Sequence, residues 1–302
     1  MLTLGIEASG KSAGAALLRD GRLLSEYSLN VGLTHSETLL PLIEALLRAS
    51  GVSLSDLDLI AVSAGPGSFT GLRIGAATAK GLALPGGIPL LPVSTLEGLM
   101  QNVSEFSGYV HPILDARRSQ VYTASYLHGE KVLPEEAVSI ESLLKKIRSF
   151  PGKQLFLGDG VLPYRELLSE CLGEKLVLAS PANLLQRASS IAILGERNFS
   201  LAQSAEKFRL HYVRKPQAER EREAKGLRDY DLLGEKRGGE TKDRLLPRNY
   251  PIDSGGNPMT RSRMPRTIVN GATIPACFTR ARNSMNGMAP TTMLRPSVTS
   301  IM

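Results

Sequence analysis

Gly65-Pro66-Gly67-Ser68-Phe69-Thr70-Gly71-Leu72-Arg73-Ile74-Gly75 lies between an apolar run at 57–64 (LDLIAVSA) and a segment that continues as GLRIGAATAKGLAL. The run is short enough for a buried strand and is closed by turn residues, and the segment after it reads as a helix. Strand, glycine-rich turn and helix in succession present free backbone N–H groups at a helix N-terminus, where anions bind. Pro66 fixes its own φ, while Gly65 and Gly67 permit backbone shapes closed to other residues. Ser68 or Thr70 is placed to cap the helix. Gly71, Gly75 and Ala79 fall on one helix face and leave it nearly bare. Another backbone can approach such a face closely, as a partner helix or as a neighbour within the same domain.

Upstream, residues 1–6 and 13–18 read as strands, and Asp20-Gly21 supplies the positive φ angles of a hairpin turn into a third strand at 23–30. HSETLLPLIEALLRAS at 35–50 places Leu39, Leu42, Ile43, Leu46 and Leu47 on one helical face. The order is therefore βββαβα, extended by a strand at 89–93 and a helix at 95–103. A weaker copy of this plan follows, with strands at 111–115 and 120–126, a helix at 138–148, a strand at 154–157, a helix at 164–172 and a strand at 176–178. The segment 181–199, with Pro181 suited to a first turn, reads as a long helix. Two successive β-rich α/β units point to a duplicated domain.

Composition bounds the rest. The 302 residues include 42% hydrophobic side chains but no Trp, and no apolar run is long enough to cross a membrane. The chain opens directly on a strand without a signal-like core, and Cys171 and Cys277 are too few for a disulfide framework or zinc site, so a cytoplasmic protein is expected. Residues 219–302 carry +6 of the net +7, leaving a body that is nearly neutral and without the charge of a nucleic-acid-binding face. Beyond Asp253 there is no acidic residue, six of the eight methionines cluster, and neither helical nor strand period survives. That composition predicts a disordered tail over 220–302, of frame-shifted, readthrough or fusion origin, with a basic RNA-binding arm as the alternative.

Few residues carry a chemical pattern. Gly5-Ile6-Glu7-Ala8-Ser9-Gly10-Lys11-Ser12 fits the phosphate-cradling P-loop in letters. The six small and apolar residues after it end in a hairpin signal, which suits a strand and not the helix a P-loop needs. Glu7, Ser9, Lys11, Gly65 and Gly67 stand as weak candidates for contact with a nucleotide. His35 opens a helix; His111, His128 and His211 have no helical-spaced partner, so no metal site assembles from local spacing. Asp115-Ala116-Arg117-Arg118 reads as a salt-bridged turn.

GPGSFTGLRIG at 65–75, HSETLLP at 35–41, LDARRSQVY at 114–122 and YVRKPQAE at 212–219 together resemble the TsaB (YeaZ) family over residues 1–219. The resemblance implies an α/β fold of two duplicated actin/Hsp70/sugar-kinase-like (ASKHA, RNase H-like) domains, mixed sheets with flanking helices. The first would span 1–104, completed by a helix at 181–217, and the second 105–180. It implies a non-catalytic, cytoplasmic subunit of tRNA threonylcarbamoyladenosine synthesis that binds the transferase TsaD, works with the ATPase TsaE and meets tRNA through the complex; whether the chain alone is a homodimer or a monomer the sequence leaves open. Thr95 and Leu99 stand where TsaD has its metal-binding histidine pair, and Glu7-Ala8-Ser9 replaces the Asp-Thr-Ser common in the family. No cofactor is then expected on the isolated chain, with ATP or ADP at the complex interface. The pairing surface implied comprises His35, Leu39, Leu42, Ile43, Leu46, Gly71, Leu72, Gly75 and Ala79. The competing readings are a kinase or ATPase of the same fold, a metallopeptidase, and an RNA-binding module that uses the tail.

Overall fold

The computed structural model describes residues 1–214 and two short strands further on. The chain divides into two units, Met1–Asp229 and Tyr230–Met302, each taken by itself below.

In the first unit, β1 (Leu2–Glu7), β2 (Ala13–Arg19) and β3 (Arg22–Leu29) form an antiparallel meander turned at Asp20-Gly21, where both residues have positive φ. β4 (Leu59–Gly65) pairs parallel to β1, and β5 (Leu90–Ser94) parallel to β4, giving the order β3-β2-β1-β4-β5. Helices α1 (His35–Ala49) and α2 (Phe69–Ala83) cover one face; Leu39, Leu42, Ile43 and Leu46 pack with Leu4, Ile6, Leu17, Ile60 and Val62. β1 and β4 are buried along their whole length; β4 reads as a nearly continuous apolar run, whereas β1 (LTLGIE) alternates in sequence and yet buries Thr3 and Glu7 as well.

The second sheet repeats the plan. β6 (Tyr109–Asp115), β7 (Gln120–Leu127) and β8 (Glu130–Ser139) are antiparallel, and β9 (Gln154–Leu157) and β10 (Leu176–Leu178) continue parallel to β6. Read from β8 the order is β8-β7-β6-β9-β10, strand for strand that of the first sheet. The duplication inferred from element order is therefore present, and the fold is the mixed-sheet, two-fold-repeated α/β architecture that the resemblance implied. Helices α4 (Ile140–Ile147) and α5 (Val161–Leu172) cover one face of this sheet, and α3 (Thr95–Gln101) packs on the other through Leu96, Leu99 and Met100. The last helix, α6 (Ala188–Arg197), returns to the first sheet and packs Ile191 and Leu194 on Leu59, Ala61 and Val93.

Three expectations need correction. β8 was not foreseen, and the helix expected over 138–148 is only α4. β8 is an edge strand whose residues are at best half-buried and which contains Pro134, so it lacks the apolar alternation that marks a strand. The helix expected from Pro181 begins only at Ala188. The backbone before it is engaged elsewhere: the Asn102 side chain donates to the carbonyls of Asn183 and Leu185, and Gly158 N–H donates to that of Leu184. Beyond α6 the chain takes a short 3₁₀ turn at Phe199–Leu201 and then runs irregularly, pairing Gln203 with Leu90, so no helix extends towards 217.

In the second unit, β11 (Arg266–Val269) pairs antiparallel with β12 (Ala272–Pro275), so part of the expected disordered tail is paired. The rest of that tail, with Cys277, lies outside the described residues. Among the described residues no helix is long and apolar enough to cross a membrane.

Candidate functional site

The ends of β1 and β4 meet at the glycine turn and make the floor of a cleft. Ser68 N–H donates to Ser9 O at 2.7 Å, and a Cβ on Gly67 would lie 2.4 Å from that same oxygen, so only glycine permits the approach. From the other side His211 N–H donates to Ala64 O at 2.8 Å, and Gly65, at φ +120°, lets the His211 carbonyl pass. Ser68 caps α2 by accepting from Gly71 N–H. The cleft above this floor holds about 490 Å³, walled by the β1–β2 loop, the β6–β7 hairpin, Asp159, Gln186 and the crossing segment at Tyr212 and Arg214.

Of the weak nucleotide candidates, Ser9, Lys11 and Gly67 line this cleft. Glu7 does not. Its carboxyl is 1% exposed and accepts from the Ser9 N–H and Oγ, while its Oε2 has no partner among the described residues. Burial pushes its pKa up to about 7, against the hydrogen bonds from Ser9, which pull it down. Gly65 faces a separate hollow beside Glu135, Lys131 and Arg209. Lys11 lies in a hairpin loop between antiparallel strands, and β2 begins at Ala13, so the helix a P-loop requires is not there.

The β6–β7 hairpin departs from its expected form. Asp115 Oδ1 accepts the backbone N–H of Arg117 at 2.7 Å, and neither Arg117 nor Arg118 is salt-bridged among the described residues. Arg117, Arg118 and Ser119 all have positive φ, between 54° and 60°. Each such non-glycine residue costs about 1 kcal/mol or more, so the surrounding structure must hold the turn. Asp159 Oδ1 accepts Asp115 N–H, Arg214 donates to Ala116 O, and Ala116 N–H donates to Gln120 O. Burial raises the pKa of Asp159, opposed by its hydrogen bond from Asp115 and the charge of Lys11.

His35 and His111 do structural work. His35 donates from Nε2 to Gly10 O at 2.9 Å and so ties α1 to the β1–β2 loop; Thr34 and Glu37 form a capping box around its helix start. His111 is fully buried, bonded to Ser125 and packed on Phe156, with its pKa pushed down to about 3 by burial. Thr95 and Leu99 are both buried at α3, Leu99 within the core beneath the second sheet.

The implied pairing residues point inward. Leu39, Leu42, Ile43, Leu46, Leu72 and Ala79 are at most 5% exposed, and His35 is half-buried. Gly71 and Gly75 lie against Ala8 of the chain's own sheet: a Cβ on Gly75 would meet Ala8 Cβ at 3.2 Å. The bare face of α2 is thus filled from within, and a bulky residue at Gly75 would disturb the fold before any partner. The outward side of these helices and their ends carries Leu33 (59% exposed) just before α1, Leu40 (52%), Leu84 (56%) at the end of α2, Ala77 and Gly81. Sequence reasoning also passed over Phe69, Tyr122, Asp159, Gln186, Tyr212 and Arg214, which reach the cleft from separate segments and so have no local signature.

Residues 30–220 match the family model described as TsaD: tRNA N6-adenosine threonylcarbamoyltransferase. The tRNA threonylcarbamoyladenosine biosynthesis protein TsaB of Bacillus subtilis (strain 168) is 36% identical over 200 residues, 65% of this chain and 87% of that protein. The tRNA N6-adenosine threonylcarbamoyltransferase of Geotalea uraniireducens (strain Rf4) is 39% identical, but over 113 residues, 32% of this chain and 33% of the transferase. Among solved structures, YeaZ from Pseudomonas aeruginosa aligns with a TM-score of 0.57 at 27% identity, covering 70% of this chain and 99% of that one.

Proposed function

Since the chain belongs to the TsaB (YeaZ) family of tRNA threonylcarbamoyladenosine biosynthesis proteins, we propose that it is the non-catalytic subunit that pairs with the transferase TsaD. With the ATPase TsaE, the pair supports threonylcarbamoyl transfer to tRNA adenosine. The isolated chain holds no nucleotide of its own, ATP or ADP belongs to the interface of the complex, and the free chain can pair with itself through the same surface. The coverage of relatives supports this reading, since a TsaB protein matches along most of its length and a transferase along a third.

The observation that carries it is the outer face of α1 and α2. Leu40 on α1, Leu33 just before it and Leu84 at the end of α2 stand in solvent, while Ala77 and Gly81 leave the α2 surface low enough for a partner helix to approach. A Cβ on Gly81 would meet nothing within 4 Å, so this position tests pairing without disturbing the fold. Gly81→Arg and Leu40→Asp should each weaken TsaD binding at least tenfold in a titration, with the thermal midpoint of the free chain little changed. Undiminished binding by both variants would remove this face from the interface. The rival reading, an ATPase of the same fold, requires the isolated chain to bind and turn over ATP.

A further inference from the structure

The cleft between the two sheets is not used by the pairing face, and its lining has a definite chemistry. Lys11, Arg117, Arg118 and Arg214 border it, and none is salt-bridged among the described residues. The carboxylates present, Asp115 and Asp159, spend oxygens on backbone N–H groups of the hairpin. Aromatic rings stand beside these cations. Phe69 and Tyr212 lie 5.4 Å apart between centroids, Arg73 stacks on the Phe69 ring at 3.9 Å, and Tyr122 lines the cleft as well.

A second observation points to a ligand. Gln186 is 3% exposed, borders the cleft against Gly10, and neither its Oε1 nor its Nε2 has a hydrogen-bond partner among the described residues. A buried amide left without partners is costly, so a site that offers it one is favoured. Unpaired cations beside half-exposed rings, with Tyr212 the most open of them, are a combination that holds a single-stranded nucleic acid, phosphate on the charges and base on the ring.

We propose that this cleft seats an unpaired RNA nucleotide directly, its phosphate among Lys11, Arg117 and Arg118 and its base against the Phe69–Tyr212 pair. The choice of RNA rests on the tRNA reading above; the cleft chemistry does not. A near-neutral body hides such a site, because four cations gathered in one cleft matter more than the sum over the chain. Glu7 lies enclosed beneath the floor and does not border the cleft, which sets the site apart from one built around an acidic residue at the end of β1.

The test is fluorescence anisotropy of the full chain with a fluorescein-labelled single-stranded RNA heptamer, at two salt concentrations. Arg117→Ala/Arg118→Ala should raise Kd at least tenfold and flatten the salt dependence, and Tyr212→Ala should raise it about fivefold or more. Lys11→Ala serves as a second charge variant should the double one fail to fold. RNA binding unchanged in these variants, which keep residues 219–302, would assign it elsewhere on the chain and overturn the proposal. Tight binding of ATP that displaces the RNA would overturn it too, in favour of a free-nucleotide site. Leu40→Asp should lose TsaD yet keep the RNA, so a failure of the pairing reading is seen separately.

Discussion

Gly71→Ala should lower the thermal midpoint by roughly 6–12 °C, a loss of about 3 kcal/mol. Gly71 is buried near the start of α2, where an added Cβ would lie 2.1 Å from the Ala8 carbonyl oxygen and 3.1 Å from the His35 ring. Neither neighbour yields easily. Ala8 directly follows β1, and His35 is held by its bond to Gly10 O. The helix would have to lift from the sheet, opening the contact between the glycine turn and Ser9 that forms the cleft floor. Gly81→Ala, on the outer face of the same helix, is the control. Its Cβ meets nothing within 4 Å, and the gain in helix propensity should raise stability by up to about 1 kcal/mol. Equal midpoints for the two alanine variants would show that α2 does not sit on the sheet as described.

Glu7→Gln should make stability fall more steeply than that of the wild-type chain as pH drops from 6.5 to 4.5. Two buried groups act in opposite senses. Glu7 has its folded pKa raised from 4.5 to about 7, so the stability it contributes is full below 4.5 and is lost as pH rises through 7. His111 has its folded pKa lowered from 6.5 to about 3, so its contribution is full above 6.5 and is lost as pH falls towards 3. Between pH 4.5 and 6.5 the two slopes oppose each other, one proton against one proton. Removing the Glu7 titration leaves that of His111 unopposed by it, and the variant should lose about 3 kcal/mol relative to wild type as pH falls across that interval. Urea midpoints of both proteins at pH 4.5, 5.5 and 6.5 check this, since groups common to both cancel. Parallel profiles would mean that Glu7 does not titrate as a buried acid.

The legible parts of the fold are those whose local chemistry and tertiary role agree. Asp20-Gly21 demands a hairpin turn, the nearly continuous apolar run of β4 demands burial on both faces, and the stripe from Leu39 to Leu46 demands a core beneath α1. β8 failed because an edge strand is half-solvated and tolerates Pro134, Glu135 and Glu136. The helix start at Ala188 failed because backbone groups of residues 183–185 satisfy Asn102 and Gly158, a choice made by distant residues.

The pairing residues show a different limit. A bare helix face at Gly71, Gly75 and Ala79 says that something approaches closely, but not whether it is a partner or the chain's own sheet. Here it is the sheet. The outer face, with isolated leucines beside Ala77 and Gly81, has no periodic signal. The cleft was the least legible of all: Lys11, Gln186 and Arg214 meet only after both sheets have formed.

The central claim is tested most directly by co-purifying the full chain with TsaD from the same source, then running the transfer reaction with TsaE, tRNA and threonylcarbamoyl-adenylate. The account predicts a stable pair and a modification that stops when this chain is left out. No pair, with modification undiminished in its absence, would contradict it.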